Sequence, residues 1–199
     1  MNKTLKRQIK NKKIWVAAST HHNEEIFCAK AHIYLKKNIK NLITILIPRH
    51  IDRVPDIKLR LKKLKLNVLS HTSNNKNLKN IDVYIVDTFG ENKKFYKVGC
   101  TVFLGGSIIK RGGQNPLEAA RYDAKILHGP NIDNFKDVYK LLKSLNISKK
   151  ITSYKELANS IVFNKTKNKS NKISKIGKTI LSKTINEIDF QIKDEFKKT

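Results

Sequence analysis

The sequence predicts an α/β protein in which a parallel sheet is covered by helices on both faces. Two observations lead to this fold class. Short apolar runs of strand length alternate along the chain with segments whose apolar residues recur at helical spacing. Polar or glycine-rich residues directly follow several of these runs, as they do where the strands of such a sheet end.

The first strand and helix begin this alternation. The run IWVAAS (residues 14–19) is apolar and predicts a buried strand. The next segment, residues 23–37, carries Ile26, Ala29 and Ile33 at helical spacing and therefore predicts a helix. Its first turn holds two adjacent glutamates, which suit the positive end of a helix dipole.

The later elements follow the same order. LITILIP (residues 42–48) is a continuous run of β-branched residues and leucine, which is typical of a strand buried on both faces. Pro55 fits the first turn of a helix that we expect to run to about residue 65. The remaining predicted strands are residues 67–70, 83–88, 101–106 and 125–130, and the remaining predicted helices are residues 91–98, the segment after Pro116, and residues 135–145 and 153–163.

Composition limits the classes of function. The 199 residues include 42 Lys or Arg and 16 Asp or Glu, and the resulting net charge of +26 favours anionic partners. Because the lysines are scattered, a coding bias toward Lys and Asn explains much of the excess equally well. The cysteines, Cys28 and Cys100, lie far apart, which argues against a zinc site or disulfide framework and favours the cytoplasm. No apolar stretch approaches the roughly 20 residues of a membrane span.

The chain divides into three predicted regions. Residues 1–12 form a basic extension, residues 13–163 form the α/β domain, and residues 164–199 form a polar linker followed by an amphipathic helical tail. The tail helix is predicted from apolar residues at helical spacing between Ile173 and Ile188.

Doubly wound sheets bind ligands at the carboxyl ends of their strands, and the unusual residues of this chain fall there. They are Thr20 and His21 after the first strand, Pro48, Arg49 and His50 after the second, residues 87–91 after the fourth, and Gly105, Gly106 and Ser107 after the fifth. Arg49 offers a donor fork suited to phosphate or carboxylate, although a surface arginine at a strand end is an equally good interpretation. His21 and His22 have no third ligand at suitable spacing, so we expect no metal.

The segment GGSIIKRGGQNPLE (residues 105–118) contains four of the eight glycines of the chain. Glycines let backbone amides approach a phosphate, and the N-terminus of the following helix would favour its charge. The residues predicted to support such a phosphate are Gly105, Gly106, Ser107, Arg111, Gly112 and Gly113. A purely structural alternative is that Asn115 caps the helix, Pro116 takes its first position and Glu118 completes a capping box.

Five ordered motifs resemble one family. They are WVAASTH (15–21), ILIPRHIDR (45–53), VDTFGE (86–91), FLGGSIIKRGGQNPLEAA (103–120) and LHGPNIDNFKD (127–137). Over residues 12–163 the chain resembles the carboxyl-terminal half of the 3-deoxy-D-manno-octulosonic acid (Kdo) transferases. That family consists of GT-B glycosyltransferases, in which two Rossmann-like domains transfer Kdo from CMP-Kdo to a lipid A precursor.

The resemblance implies a Rossmann-like domain that binds the donor CMP-Kdo without a metal cofactor. The matching donor contacts are Pro48, Arg49, Phe89, Gly90, Glu91, Asn115, Pro116, Leu117 and Glu118. On this interpretation Arg49 meets the phosphate or the Kdo carboxylate, and Glu118 holds the ribose. Residues 89–91 border the cytosine.

The sequence also departs from the family. The resemblance leaves out the amino-terminal half with its catalytic glutamate, acceptor surface and membrane anchor, so we expect no catalytic residue and no activity from this chain alone. It would be half of a split enzyme or a gene fragment. Within the matching part, His22 and Asn23 replace a usual Glu-Gly pair, and Gln114 and Asn131 each replace a histidine.

The candidate partners follow from the resemblance and the charge. They are CMP-Kdo, a separately encoded amino-terminal half, and the anionic inner membrane, contacted peripherally from the cytoplasmic side; nucleic acid is not expected. The alternative function is that of a non-catalytic basic module that adheres to anionic membrane or nucleic acid.

Overall fold

The structure is a computed structural model that describes residues 3–74, 77–165, 171, 173 and 174. Strands and helices alternate along the chain as the sequence predicts. The strands are β1 (Lys13–Thr20), β2 (Leu42–Pro48), β3 (Val68–Ser70), β4 (Val83–Ile85), β5 (Thr101–Leu104), β6 (Lys125–His128) and β7 (Ser148–Lys150). The helices are α1 (Lys3–Ile9), α2 (Glu24–Lys36), α3 (Val54–Lys63), α4 (Asn92–Tyr96), α5 (Leu117–Ala120), α6 (Lys136–Ser144) and α7 (Tyr154–Ser160), with 3-10 turns at Ile51–Arg53 and Asp133–Phe135.

The seven strands form one sheet in the order β3-β4-β2-β1-β5-β6-β7, and every neighbouring pair is parallel. The predicted fold class is therefore confirmed. The chain places β2, β3 and β4 on one side of β1 and then crosses over to place β5, β6 and β7 on the other. This arrangement is Rossmann-like, and it leaves β1 and β5 as neighbours at the point where the chain changes sides.

The alternation of side chains along β1 explains why helices cover both faces. Ile14, Val16 and Ala18 belong to one core, which they share with residues of α1, α4, α5 and α6. Trp15 and Ala17 belong to the other core, which they share with residues of α2, α3 and α7. A strand that is buried on both faces needs apolar residues at every position, and this is the continuous pattern that the sequence shows.

Two elements were not predicted, α1 and β7. In β7 only Ser148 is buried and the two lysines that follow are exposed, so this edge strand lacks an apolar run. In α1, Leu5 is buried in the sheet core, although the surrounding sequence is strongly basic. The predicted tail helix lies outside the described residues except near Ile173, which is buried in the same core as Leu5. Among the described residues, no helix is both long enough and apolar enough to cross a membrane.

Candidate functional site

The parallel sheet places the loops after β1, β2, β4 and β5 at one edge, as the sequence predicted. The boundary between β1 and β5 is a topological switch point, where doubly wound sheets bind their ligands. Two loops of this edge carry most of the predicted donor contacts. The glycine loop is residues 105–116, which follow β5, and the β4 loop is residues 86–91, which follow β4.

Four basic side chains converge at the switch point. The rings of His21 and His50 meet edge to face, with their centroids 5.8 Å apart. Burial lowers the pKa of His21 below its ordinary value, and the nearby charges of His50 and Arg111 lower it further. The charge of Glu25 acts in the opposite direction and raises this pKa, and Arg49 lowers it. Residues from the loops after β1, β2 and β5 therefore lie close together, and the guanidinium groups of Arg49 and Arg111 favour an anion there.

Two buried polar atoms at the switch point, Thr20 Oγ1 and His21 Nε2, have no hydrogen-bond partner among the described residues. A Cβ built on Gly106 would lie 3.4 Å from His21 Nε2 and 3.3 Å from Gln114 Nε2, so both side chains face this glycine. Buried polar groups are normally paired, because an unpaired one is costly. Each of these two atoms is therefore an exception to that rule at the switch point.

Three amides of the glycine loop, those of Gly106, Ser107 and Ile108, are occupied from inside the protein. The buried carboxylate of Glu24 accepts N–H bonds from Gly106 at 2.7 Å, Ser107 at 3.1 Å and Ile108 at 3.0 Å. We expected the amides of this loop to approach a phosphate directly, and for these three amides the structure shows a different acceptor, the carboxylate of Glu24.

Backbone geometry accounts for the four glycines of the loop. The N–H of Gly105 continues the ladder to β1, and a Cβ at this position would lie 2.3 Å from the carbonyl oxygen of Ser19. Gly106, Gly112 and Gly113 have φ angles of 66°, 77° and 75°, in the left-handed region that favours glycine. The glycine content is thus explained by a close approach and three left-handed residues, without reference to a ligand.

Ser107 is a structural link rather than a nucleophile. Its buried hydroxyl donates to the carbonyl of Leu104 at 2.5 Å and accepts the N–H of Gly129 at 2.8 Å, which joins the ends of β5 and β6. The side chain of Asn131, one of the departures from the family pattern, donates to the carbonyls of Ser107 and Ile108 at 3.2 and 3.1 Å. The loop is therefore held from both sides.

The turn at residues 115–118 has only half of the predicted capping geometry. Asn115 Oδ1 accepts the N–H of Leu117 at 3.0 Å, but Pro116 rather than Asn115 occupies the N-cap position of α5. The return bond of a capping box is not formed, because the carboxylate of Glu118 points toward Lys93, whose Nζ lies 3.9 Å away. Lys93 lies two residues after Glu91, so this ion pair places residues 115–118 beside the β4 loop.

The β4 loop exposes the groups that the sequence assigned to it. The Phe89 side chain is 74% exposed. Gly90 has a φ angle of 76°, and a Cβ there would meet no atom within 4 Å. One oxygen of Glu91 accepts a hydrogen bond from Lys94 at 2.6 Å, while Oε2 is buried and has no partner among the described residues. The loop therefore exposes an aromatic ring, while the Glu91 carboxylate is paired at one oxygen and buried at the other.

Sequence reasoning missed the acidic residues that hold this edge together. Glu24 and Glu25 were assigned to the helix dipole, yet both are buried, and Glu25 receives two bonds of 3.0 and 3.2 Å from Arg53. Asp87 accepts hydrogen bonds from the amide and hydroxyl of Thr72 at the base of the β4 loop. The available signal was the position of two adjacent acids directly after a strand end in a chain with few acids.

Other surfaces lie away from this edge. Three open clefts of about 570, 600 and 700 Å³ occur at the opposite, amino edge of the sheet. Their lysines are Lys10, Lys12, Lys13, Lys36, Lys40, Lys62, Lys65 and Lys79. In the part of the chain that the structure describes, no three His, Cys, Asp or Glu side chains are grouped to hold a metal ion; the absence of a metal requirement stays a prediction.

The fold and the residues at the carboxyl edge of the sheet define a Rossmann-like α/β domain with two arginines near its switch point. No protein-family model matches the chain. It is 34% identical over 140 residues to a 3-deoxy-D-manno-octulosonic acid transferase of Haemophilus influenzae, and 36% identical over 154 residues to one of Rickettsia prowazekii. These alignments cover 70% and 76% of this chain but 32% of each relative. The chain thus spans about a third of the length of these curated relatives.

A solved structure has the same fold. It is the C-terminal CMP-Kdo binding domain of WaaA from Acinetobacter baumannii, with a TM-score of 0.72 and 24% sequence identity over 79% of this chain and 84% of that domain. The chain belongs to the Kdo transferase family, as the counterpart of its carboxyl-terminal half.

Proposed function

We propose that the chain binds the sugar donor CMP-Kdo at the switch point between β1 and β5. One observation carries the proposal: Arg49, His50 and Arg111 converge on His21, whose buried Nε2 has no partner among the described residues. CMP-Kdo carries a phosphate and a carboxylate, two anions that such side chains bind well. Similarity to the CMP-Kdo binding domain of Acinetobacter baumannii WaaA supports the same donor.

Each part of the donor has a proposed position. Arg49, which is exposed at the end of β2, contacts the phosphate or the Kdo carboxylate. Glu118 accepts hydrogen bonds from the ribose, and Phe89 and the rest of the β4 loop lie against the cytosine. The ion pair between Lys93 and Glu118 supports this arrangement, because it brings the proposed ribose and cytosine contacts next to each other.

We also propose that this chain alone binds the donor without transferring the sugar. The chain matches about a third of the length of its relatives, and transfer requires a general base within reach of the acceptor hydroxyl. A separately encoded amino-terminal half would supply the base and the acceptor surface. Donor binding needs no metal, so EDTA is expected to leave the affinity for CMP unchanged.

The donor site is tested by calorimetric titration of the purified chain with CMP and with AMP at fixed salt. Arg49→Ala and Glu118→Ala are each expected to weaken CMP binding by about 1–3 kcal/mol, the usual scale for hydrogen bonds to charged groups. Arg7→Ala removes an exposed arginine on α1, outside the site, and is the matched control. The control is expected to leave the affinity unchanged.

Two results would contradict the proposal. One is equal affinity for CMP and AMP together with a steep loss of binding as salt rises, which is the behaviour of a basic module that adheres through its lysines. The other is an unchanged affinity in both site variants. Kdo transfer by the chain alone would contradict the division between donor binding and catalysis.

A further inference from the structure

The carboxylate of Glu24 is the most completely hydrogen-bonded acid at the carboxyl edge of the sheet. Its side chain is fully buried at the first position of α2. Oε2 accepts the N–H of His21 at 2.9 Å and of Gly106 at 2.7 Å, and Oε1 accepts the N–H of Ser107 and Ile108. A buried charge persists only when it is well paired, and four backbone donors meet that requirement.

These bonds connect the loop after β1 to the glycine loop. Glu24 binds the amides of His21 and Gly106, and the side chain of His21 faces Gly106. The carbonyl of Gly106 in turn accepts the N–H of Gly113 at 2.9 Å. Arg111 lies between Gly106 and Gly113. The positions of the His21 and Arg111 side chains therefore depend on segments that the Glu24 carboxylate holds together.

We infer that Glu24 is a positioning residue of the donor site, because its carboxylate fills the amide nest of the glycine loop, formed by the N–H groups of Gly106, Ser107 and Ile108. This inference rests on the proposed function. With the nest filled, the loop has its final shape before the donor arrives, and the anionic groups of the donor meet side chains rather than amides. The acid touches no part of the donor and acts through His21 and Gly106.

The control is a second buried acid with similar bonding at the opposite edge. Asp82 accepts hydrogen bonds from His32, Lys36 and the amide of Asn67. Glu24→Gln and Asp82→Asn each replace a buried carboxylate by an amide of the same shape, so both are expected to lower stability. Only Glu24→Gln places an NH₂ group against the donating amides of the glycine loop. We therefore expect only this variant to change the geometry of the donor site.

The experiment measures CMP affinity for both variants at a temperature where each is folded, as judged by circular dichroism. We expect Glu24→Gln to weaken CMP binding at least tenfold and Asp82→Asn to change it less than twofold. Equal weakening in the two variants, or no weakening in Glu24→Gln, would overturn the inference.

Amide exchange of the unchanged chain, followed by NMR, gives a second test that requires no variant. The amides of Gly106, Ser107 and Ile108 are expected to be protected without CMP and to gain little on its addition. Protection that appears only with CMP would show that the donor fills the nest, and would overturn the inference. If the unchanged chain does not bind CMP, the proposed function fails, while exchange still decides separately whether Glu24 holds the loop.

Discussion

The glycine loop and the β4 loop lie at the same edge of the sheet but are built in opposite ways. In the glycine loop, Ser107 is fully buried and the amides are bonded to Glu24. In the β4 loop, Phe89 is 74% exposed and the space around the Cβ position of Gly90 is empty. One loop is fixed by the protein itself, whereas the other exposes an aromatic ring that is not packed against the protein.

This difference indicates how the two loops would share the work of binding. A loop whose polar groups are already paired adds little direct contact energy, but it loses little conformational freedom when a ligand binds. A loop with an exposed aromatic ring and an unpaired carboxylate oxygen offers contacts that only a ligand completes. Substitutions that disturb the bonded backbone of the glycine loop should therefore change stability, and substitutions of the exposed ring in the β4 loop should change affinity.

The largest expected effect is at Gly105. Gly105→Ala would bring a Cβ to 2.3 Å from Ser19 O and 2.6 Å from Thr20 Cα, and neither backbone atom can move without shifting β1. We expect the free energy of unfolding to fall by about 3 kcal/mol or more, measured by urea denaturation. The matched control, Gly90→Ala, meets no atom within 4 Å and carries only the cost of its left-handed backbone, about 1 kcal/mol. If both variants lost the same free energy of unfolding, the proposed contrast between the two loops would be wrong.

A smaller effect, on affinity instead of stability, is expected at Phe89. Phe89→Ala should weaken CMP binding by about 1–2 kcal/mol, since stacking of a base on an aromatic ring contributes on this scale. The free energy of unfolding should change by less than about 0.5 kcal/mol, because the ring is exposed. Leu59→Ala removes another exposed apolar side chain, on α3, and should change neither quantity. If Phe89→Ala lowered the free energy of unfolding without lowering CMP affinity, the β4 loop would contribute to stability and not to binding.

The smallest expected effect concerns the base of the β4 loop and depends on pH. Burial alone would raise the pKa of Asp87, but hydrogen bonds from Thr72 outweigh it and lower the pKa below its ordinary value of 3.8. A depressed pKa in the folded state means that the contribution to stability is complete above about pH 4 and is lost as the pH falls through the folded pKa.

Thr72→Val removes one of these donors. It should cost about 0.5–1 kcal/mol near neutral pH, and the difference from the unchanged chain should shrink below pH 4 in urea denaturation. Thr72→Ser keeps the hydroxyl and should follow the unchanged chain. A cost for Thr72→Val that stays constant across this range would mean that the Asp87 contact does not anchor the loop.

Much of the fold was predictable, because burial leaves a pattern in the sequence. The strand LITILIP was predicted with its observed bounds, since a strand covered on both faces has apolar residues throughout. β7 was missed because an edge strand with one buried residue has no such pattern. The predicted strand 83–88 runs past the observed end of β4 at Ile85. Val86 is buried as fully as Ile85, so hydrophobicity alone does not mark where the strand ends.

The candidate site was predictable in its location and less so in its contacts. The residues after β1, β2, β4 and β5 were expected to meet because parallel strands bring their carboxyl ends to one edge. The role of Glu24 was not predictable, since its partners Gly106, Ser107 and Ile108 lie more than 80 positions away in the sequence. A pairing of this length has no local signature.

By itself, the sequence determined the layered α/β architecture, the edge that carries the polar loops, and the resemblance to one family, because hydrophobic periodicity and ordered motifs are local properties of a chain. Only the tertiary structure decided what the amides of the glycine loop bind. Backbone N–H groups are the same in every residue except proline, and their partner is set by which side chain the fold brings near them. Here the fold brings the carboxylate of Glu24.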